Sequence, residues 1–294
     1  MAGDVARRPS APPLPHVRGL ERGRDISWTA HYETSAKVDG QLVYAVGDVH
    51  GRYDLLVKML RAIRRDEWIR GHGRRPVVVM CGDYIDRGPA SAQVLAALDW
   101  LKRRDLYELH LLKGNHEQAL LDYLDDPLTA QNWLTYGGGA TLASYGVRVP
   151  GAGASYDEHW NARNELLAAM PEAHLELIRS LDLLVTIGDY AFCHAGVQPG
   201  VPLDKQAASD LLWIREPFLD CTSSFGKVVV HGHSWIDDQP SVARNRIGLD
   251  TGAYRTGVLT AVRIEDGRFG FLQACGQSGG YGADRRVPPS RQPA

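Results

Sequence analysis

The chain has 294 residues, 44% hydrophobic and 23% charged, with 33 Lys and Arg against 35 Asp and Glu. That is the composition of an ordinary globular domain, and its charge balance argues against a general nucleic-acid or membrane-surface binder, which needs a broad basic excess. Cysteines at 81, 193, 221 and 275 form no CxxC pair, which argues against a disulfide framework or thiolate zinc site and for a reducing compartment.

Residues 1–26 are rich in Pro, Arg and Gly and read as a flexible tail. They lack the apolar core of a secretory signal, and no apolar run is long enough to span a bilayer, so a cytoplasmic protein is expected. Leu42 to Val46 is a short apolar run closed by Gly47-Asp48, and Leu55, Leu56, Met59, Leu60 and Ile63 follow at helical spacing. Val77 to Cys81 forms a second buried strand, closed by Gly82-Asp83. Pro89 suits the first turn of a helix with Val94, Leu95, Leu98 and Leu101 inward. Leu106 to Leu112 is a third strand, closed by Lys113-Gly114-Asn115. This alternation predicts parallel pairing with crossover helices. Residues 126–181 read as a mostly helical insert. Strands are then expected over 183–187, 190–193, 228–230, 247–249 and 258–264, together forming a second, mixed or antiparallel sheet. From Gln277 to the end a second flexible tail is expected. The predicted architecture is an α/β sandwich of two mixed β-sheets flanked by helices, in one domain over 27–276.

The polar residues fall at the strand ends: Asp48 with His50, Asp83 with Asp86, Asn115 with His116, then His194 and His233. Carboxyl ends of strands form the ligand crevice of open α/β sheets. Carboxylate, imidazole and amide donors without thiolate suit Mn, Fe or Zn. Two such ions can hold a bridging hydroxide and clamp a phosphoryl group for in-line attack. Singly, each residue has a plainer explanation: Asp48, Asp83 and Asp86 as helix caps, the histidines as satisfied structural groups. Plain caps would not recur five times at one edge. Arg87 and Arg215 offer forks of donors matched to phosphate oxygens. Position alone would equally let Arg215 pair with Glu216 or Asp220.

Gly47-Asp48-Val49-His50-Gly51, Gly82-Asp83-Tyr84-Ile85-Asp86-Arg87-Gly88 and Gly114-Asn115-His116-Glu117 resemble the three signature motifs of the phosphoprotein phosphatase (PPP) family of calcineurin-like metallophosphoesterases. The bacteriophage lambda phosphatase and bacterial serine/threonine phosphatases look most similar. Asn132-Trp133 with Gly137-Gly138-Gly139, Leu212 to Glu216 and Asp250 to Ala253 also resemble theirs. The resemblance spans about residues 42–265. It implies two divalent ions, manganese by family default with Fe or Zn as alternatives. Asp48, His50 and Asp83 would hold one, and Asp83, Asn115, His194 and His233 the other. It also implies that His116, oriented by Asp86, is the general acid, and that Arg87 and Arg215 grip phosphate. Trp235 stands where broader relatives carry a further histidine after His233, and His231 would lie one step deeper along its strand.

The function expected is a two-metal phosphomonoester hydrolase acting on phosphoserine or phosphothreonine in a protein or peptide. A symmetrical diadenosine tetraphosphate hydrolase acting on a small nucleotide is the rival, and phosphotyrosine activity stays open. A nuclease fits less well, because no basic track is visible. A dead scaffold would need a ligand or His116 replaced, and none is.

Overall fold

The computed structural model describes residues 26–28 and 32–279. The expected tails lie outside these residues, apart from 277–279 and Ile26, and Ile26 opens a strand. In chain order the first half comprises β1 (Ile26–Trp28), β2 (Tyr32–Glu33), β3 (Val43–Val46), α1 (Tyr53–Arg70), β4 (Val77–Met80), α2 (Ser91–Arg104), β5 (Glu108–Leu111) and α3 (Asn115–Asp125). A π-type turn at Leu134–Gly138 leads into α4 (Gly139–Ser144), α5 (Tyr156–Ala169) and α6 (Glu172–Arg179). The remainder is β6 (Leu184–Ile187), β7 (Tyr190–Cys193), α7 (Ala208–Trp213), α8 (Glu216–Leu219), β8 (Val228–His231), β9 (Ser241–Val242), β10 (Arg246–Gly248), α9 (Ala253–Thr256), β11 (Val258–Glu265) and β12 (Arg268–Cys275).

Two sheets result, in the orders β1-β12-β11-β3-β4-β5, with β2 also on β12, and β6-β7-β8-β10-β9. β3, β4 and β5 are mutually parallel, as the strand–helix alternation predicts. β7, β8 and β10 are parallel too, with antiparallel β6 and β9 at the edges. One expectation fails. Residues 258–264 do not join the second sheet; β11 lies antiparallel against β3 in the first, with Ala261 opposite Val46 and Ile264 opposite Val43. Its hairpin partner β12 was not foreseen, although Phe269, Phe271 and Gln273 alternate with smaller residues.

Because neighbouring side chains of a strand point to opposite faces, the buried strands serve two cores at once. Tyr44, Val46, Val78 and Met80 face Leu56, Met59, Val94 and Leu98 of α1 and α2. Val43, Ala45, Val77 and Val79 face Phe192, Val230 and Ile247 of the second sheet. A third cluster, with Val229, Leu211, Ile214 and Phe218, covers the outer side of that sheet. The layers are therefore helices, sheet, sheet, and short helices.

Candidate active site

The ends of the six parallel strands converge. Asp48 and His50 follow β3, Asp83 to Arg87 follow β4, Asn115 and His116 open α3 after β5, and His194, His233 and Asp250 follow β7, β8 and β10. All of these side chains except that of Arg87 are buried. The loops are bound to one another through the main chain. Val49 and His50 donate their N–H groups to the Asp83 carbonyl at 3.0 and 2.8 Å, Gly88 donates to His50 O at 3.1 Å, and Gly232 donates to His194 O at 2.8 Å. Such tight loops hold His50, Asp83, Asp86, Arg87 and His233 at φ of 43°, 51°, 71°, 65° and 64°. Left-handed backbone at non-glycine residues costs free energy, and here it aims donors inward. Glu117 ties the motifs together: its carboxylate accepts the N–H groups of Asp83, Tyr84 and Gly114 at 2.9, 2.8 and 2.9 Å. Burial and the Asp83 charge push Glu117 up to about 8, against the pull of those donors.

The imidazole tautomers follow from the hydrogen bonds. His50 Nδ1 donates to Ile85 O and His194 Nδ1 to Cys81 O, each at 2.9 Å, leaving both Nε2 atoms as lone-pair donors. Those atoms lie 3.4 Å from Asp83, His50 against Oδ2 and His194 against Oδ1. Asn115 Oδ1 sits 2.8 Å from His194 Nε2 and 3.0 Å from His233 Nδ1. Lone pairs facing carboxylate and amide oxygens in a buried site repel unless a cation lies among them. Ligand atoms of Asp83, His194 and His233 lie within 4.8 Å of one another, as do those of His50, Asp83 and His116. The residues present thus fit divalent metal, with the two oxygens of Asp83 divided between the two groups. Asp48 stands beside them, accepting the His233 N–H at 3.0 Å. Burial and the charges of Asp250 and Asp83 push Asp48 up, and burial raises Asp250 to about 6.

His116 is set apart from the other imidazoles. Its Nδ1 donates to Asp86 Oδ2 at 2.6 Å, and the same oxygen accepts Trp133 Nε1 at 2.7 Å, while Asp86 Oδ1 accepts the Thr141 hydroxyl at 2.6 Å. Burial depresses His50, His194 and His233 and so favours the neutral imidazole that a metal ligand requires. Burial acts on His116 too, but Asp83 and Asp86 outweigh it and raise its pKa. Environment thus separates His116 from the other three imidazoles. Arg87 Nη2 lies 3.0 Å from His116 Nε2, and its guanidinium rests over the Tyr254 ring at 4.9 Å. Arg215 is exposed at the rim and donates to Ser234 Oγ at 3.2 Å; among the described residues it has no ion pair with Glu216 or Asp220.

Every residue of the predicted metal, acid and phosphate-binding sets therefore lies in or at the rim of one crevice. His231 lies behind it, buried against Phe218 with ring centroids 5.0 Å apart. Sequence reasoning did not assign Asp250, Glu117, Thr141 or Trp133 to the site. Asp250 follows a strand like the other acids, a signal that could have found it. Trp133 falls in a stretch that resembles the family, but nothing local ties it or Thr141 to Asp86, since the 126–181 segment reaches Asp86 only through the tertiary fold.

Thiolate-free donors, a guanidinium at the crevice and a histidine of raised basicity suit phosphoryl chemistry, and the class that this fold and site define is that of the metal-dependent phosphoesterases. Residues 42–249 match the family of calcineurin-like phosphoesterases. The chain belongs to that family. It is 30% identical over 236 residues to serine/threonine-protein phosphatase 1 of Salmonella typhimurium, covering 76% of this chain and 92% of the relative. It is 26% identical to serine/threonine-protein phosphatase 2 of Escherichia coli, covering 76% and 93%. Bis(5'-nucleosyl)-tetraphosphatase [asymmetrical] of Oceanobacillus iheyensis is 24% identical, covering 76% and 89%. A solved protein described provisionally as a diadenosine tetraphosphatase shares the fold with a TM-score of 0.54 at 20% identity, covering 84% of this chain and 100% of that one. Among the described residues, no helix is long and apolar enough to cross a membrane.

Proposed function

We propose that the protein is a serine/threonine protein phosphatase that hydrolyses phosphomonoesters directly, without a phosphoenzyme. Asp48, His50 and Asp83 would hold one divalent ion, and Asp83, Asn115, His194 and His233 the other, with manganese the expected metal. When bound, such ions supply Lewis acidity, activating water and neutralising phosphoryl charge. Arg87 and Arg215 bind the phosphate oxygens, Arg87 from within the crevice and Arg215 from its rim. Once Arg87 turns from His116 Nε2 to the phosphate and that nitrogen is protonated, His116 delivers the proton to the departing oxygen, while Asp86 keeps Nδ1 protonated and the ring fixed. The catalytic unit is taken as residues 27–276, with the helical segment 126–181 supplying the Asp86 supports and part of substrate choice. The cytoplasm is its expected location.

One observation carries this reading: His116, held through Nδ1 by Asp86 at 2.6 Å, is the imidazole whose basicity the site increases. A serine or threonine alkoxide is a poor leaving group and needs a proton as it departs, whereas a phosphate leaving from an anhydride does not. The similarity to two bacterial serine/threonine phosphatases supports the same choice. The nucleotide hydrolase stands as the second reading, on the similarity to the tetraphosphatase.

The test compares wild type and His116→Asn, refilled with manganese, on a phosphoserine peptide, a phosphotyrosine peptide, p-nitrophenyl phosphate and diadenosine tetraphosphate. The expected outcome is a loss of about 10²–10⁴ in kcat on the phosphoserine peptide and a much smaller loss on p-nitrophenyl phosphate. Rapid tetraphosphate cleavage, indifferent to the variant and faster than peptide turnover, moves the assignment to the nucleotide hydrolase.

A further inference from the structure

Away from the crevice, α1 and α2 enclose an apolar trough of about 1010 Å³ that the proposed chemistry does not use. Tyr53, Trp68 and Trp100 line it together with the small side chains of Ala96 and Ala97. Trp68 is 84% exposed and Trp100 49%, high values for the largest apolar side chain. A contiguous apolar surface of this kind marks an interaction site. Both helices begin at the strand ends that carry the active site, so the Tyr53 end of the trough lies toward that edge.

The charge around the trough specifies the occupant. Its lining contains Arg61, Arg64 and Arg65 and no acid. Arg64 pairs with Glu67 at 2.7 Å, but among the described residues neither Arg61 nor Arg65 has an ion-pair partner. Arg104 adds a further cation, stacked over the Trp100 ring at 5.4 Å. The chain's own ends match this poorly. Residues 1–25 carry five Arg against three acids, and residues 280–294 carry three Arg against one Asp. A second copy matches no better, because a two-fold dimer through this face would set the same arginines against each other.

We propose that the α1–α2 trough docks an acidic amphipathic helix of a partner protein, its apolar stripe between Trp68 and Trp100 and its carboxylates on Arg61 and Arg65. A helix laid in a groove uses apolar anchors at i, i+3, i+4 and i+7, and flanking acids then meet the arginine rim. Complementary charge sets partner choice and association rate, so binding weakens as salt rises.

The experiment selects binders to the full-length protein from a displayed library of random 16-residue peptides. The enriched peptide is then titrated by fluorescence polarisation against wild type, Arg61→Glu/Arg65→Glu and Ala96→Trp. Enriched sequences should be acidic with helical apolar spacing. Charge reversal and filling of the trough should each weaken binding at least tenfold. Melting temperature and hydrolysis of p-nitrophenyl phosphate should be unchanged in both variants, which separates a docking defect from misfolding or from loss of the active site. The proposal is overturned by enrichment of basic or uncharged peptides, by no enrichment at all, or by binding that both variants retain. Two further results overturn it. One is binding of the wild-type protein to phosphatidylserine vesicles that both variants lose and the peptide does not block. The other is a wild-type dimer that Ala96→Trp dissociates.

Discussion

Trp133 donates its indole N–H to Asp86 Oδ2 at 2.7 Å. This is the oxygen that receives His116 Nδ1, so an aromatic residue from outside the three motif loops supports the histidine proposed as acid. Trp133 is itself buried, tilted against Tyr123 with centroids 4.9 Å apart.

Replacing Trp133 with Phe keeps most of that packing and removes one hydrogen bond to a charged acceptor, an effect of about 1.5 kcal/mol. We expect kcat on a phosphoserine peptide to fall roughly tenfold with KM unchanged. Activity on p-nitrophenyl phosphate should fall less, because its leaving group needs less help. Equal losses on both substrates would mean that Trp133 acts on more than the acid.

Gly232 lies where a Cβ would fall on Asp48 Oδ1. Gly232→Ala should displace that carboxylate and weaken manganese binding at least tenfold, read by calorimetric titration of chelator-treated protein, with the far-ultraviolet circular dichroism unaltered.

Asp250 gives the metal-free protein an unusual pH dependence. Burial raises its folded pKa to about 6, above the unfolded carboxyl value. Its contribution to stability is full below about pH 4 and declines as pH rises through 6. The chelated protein should lose on the order of 1–2 kcal/mol through this group between pH 4 and 7. Asp250→Asn should abolish that loss, so chelated variant and wild type should diverge in urea melts as the pH is raised.

Glu265 behaves oppositely. Burial pushes its carboxyl up, but hydrogen bonds from Arg263, Arg74 and Arg268 prevail and hold it at about 2. Its stabilisation is present above the unfolded value near 4.5 and fades as pH falls toward 2. Glu265→Gln should therefore cost about 1–2 kcal/mol at pH 7, allowing for solvent screening, and almost nothing near pH 2. A cost independent of pH would assign the effect to packing rather than charge.

Much of this protein is written locally. Apolar runs closed by Gly-Asp, Gly-Asp and Gly-Asn place β3, β4 and β5 and bring Asp48, Asp83 and Asn115 to their ends, because a buried strand must release its polar residues where it leaves the core. The same logic, extended to β10, would have included Asp250. The partner of β11 was decided by tertiary structure. Its alternation is compatible with either sheet, and only the β11–β12 hairpin, closing along β3, settles which one it joins. The distinction between His116 and the neutral imidazoles of His50, His194 and His233 was likewise not local. It depends on Asp86 reaching Nδ1, on Thr141 and Trp133 gripping Asp86 from a segment more than forty residues downstream, and on desolvation that acts only once the two sheets have closed over the site.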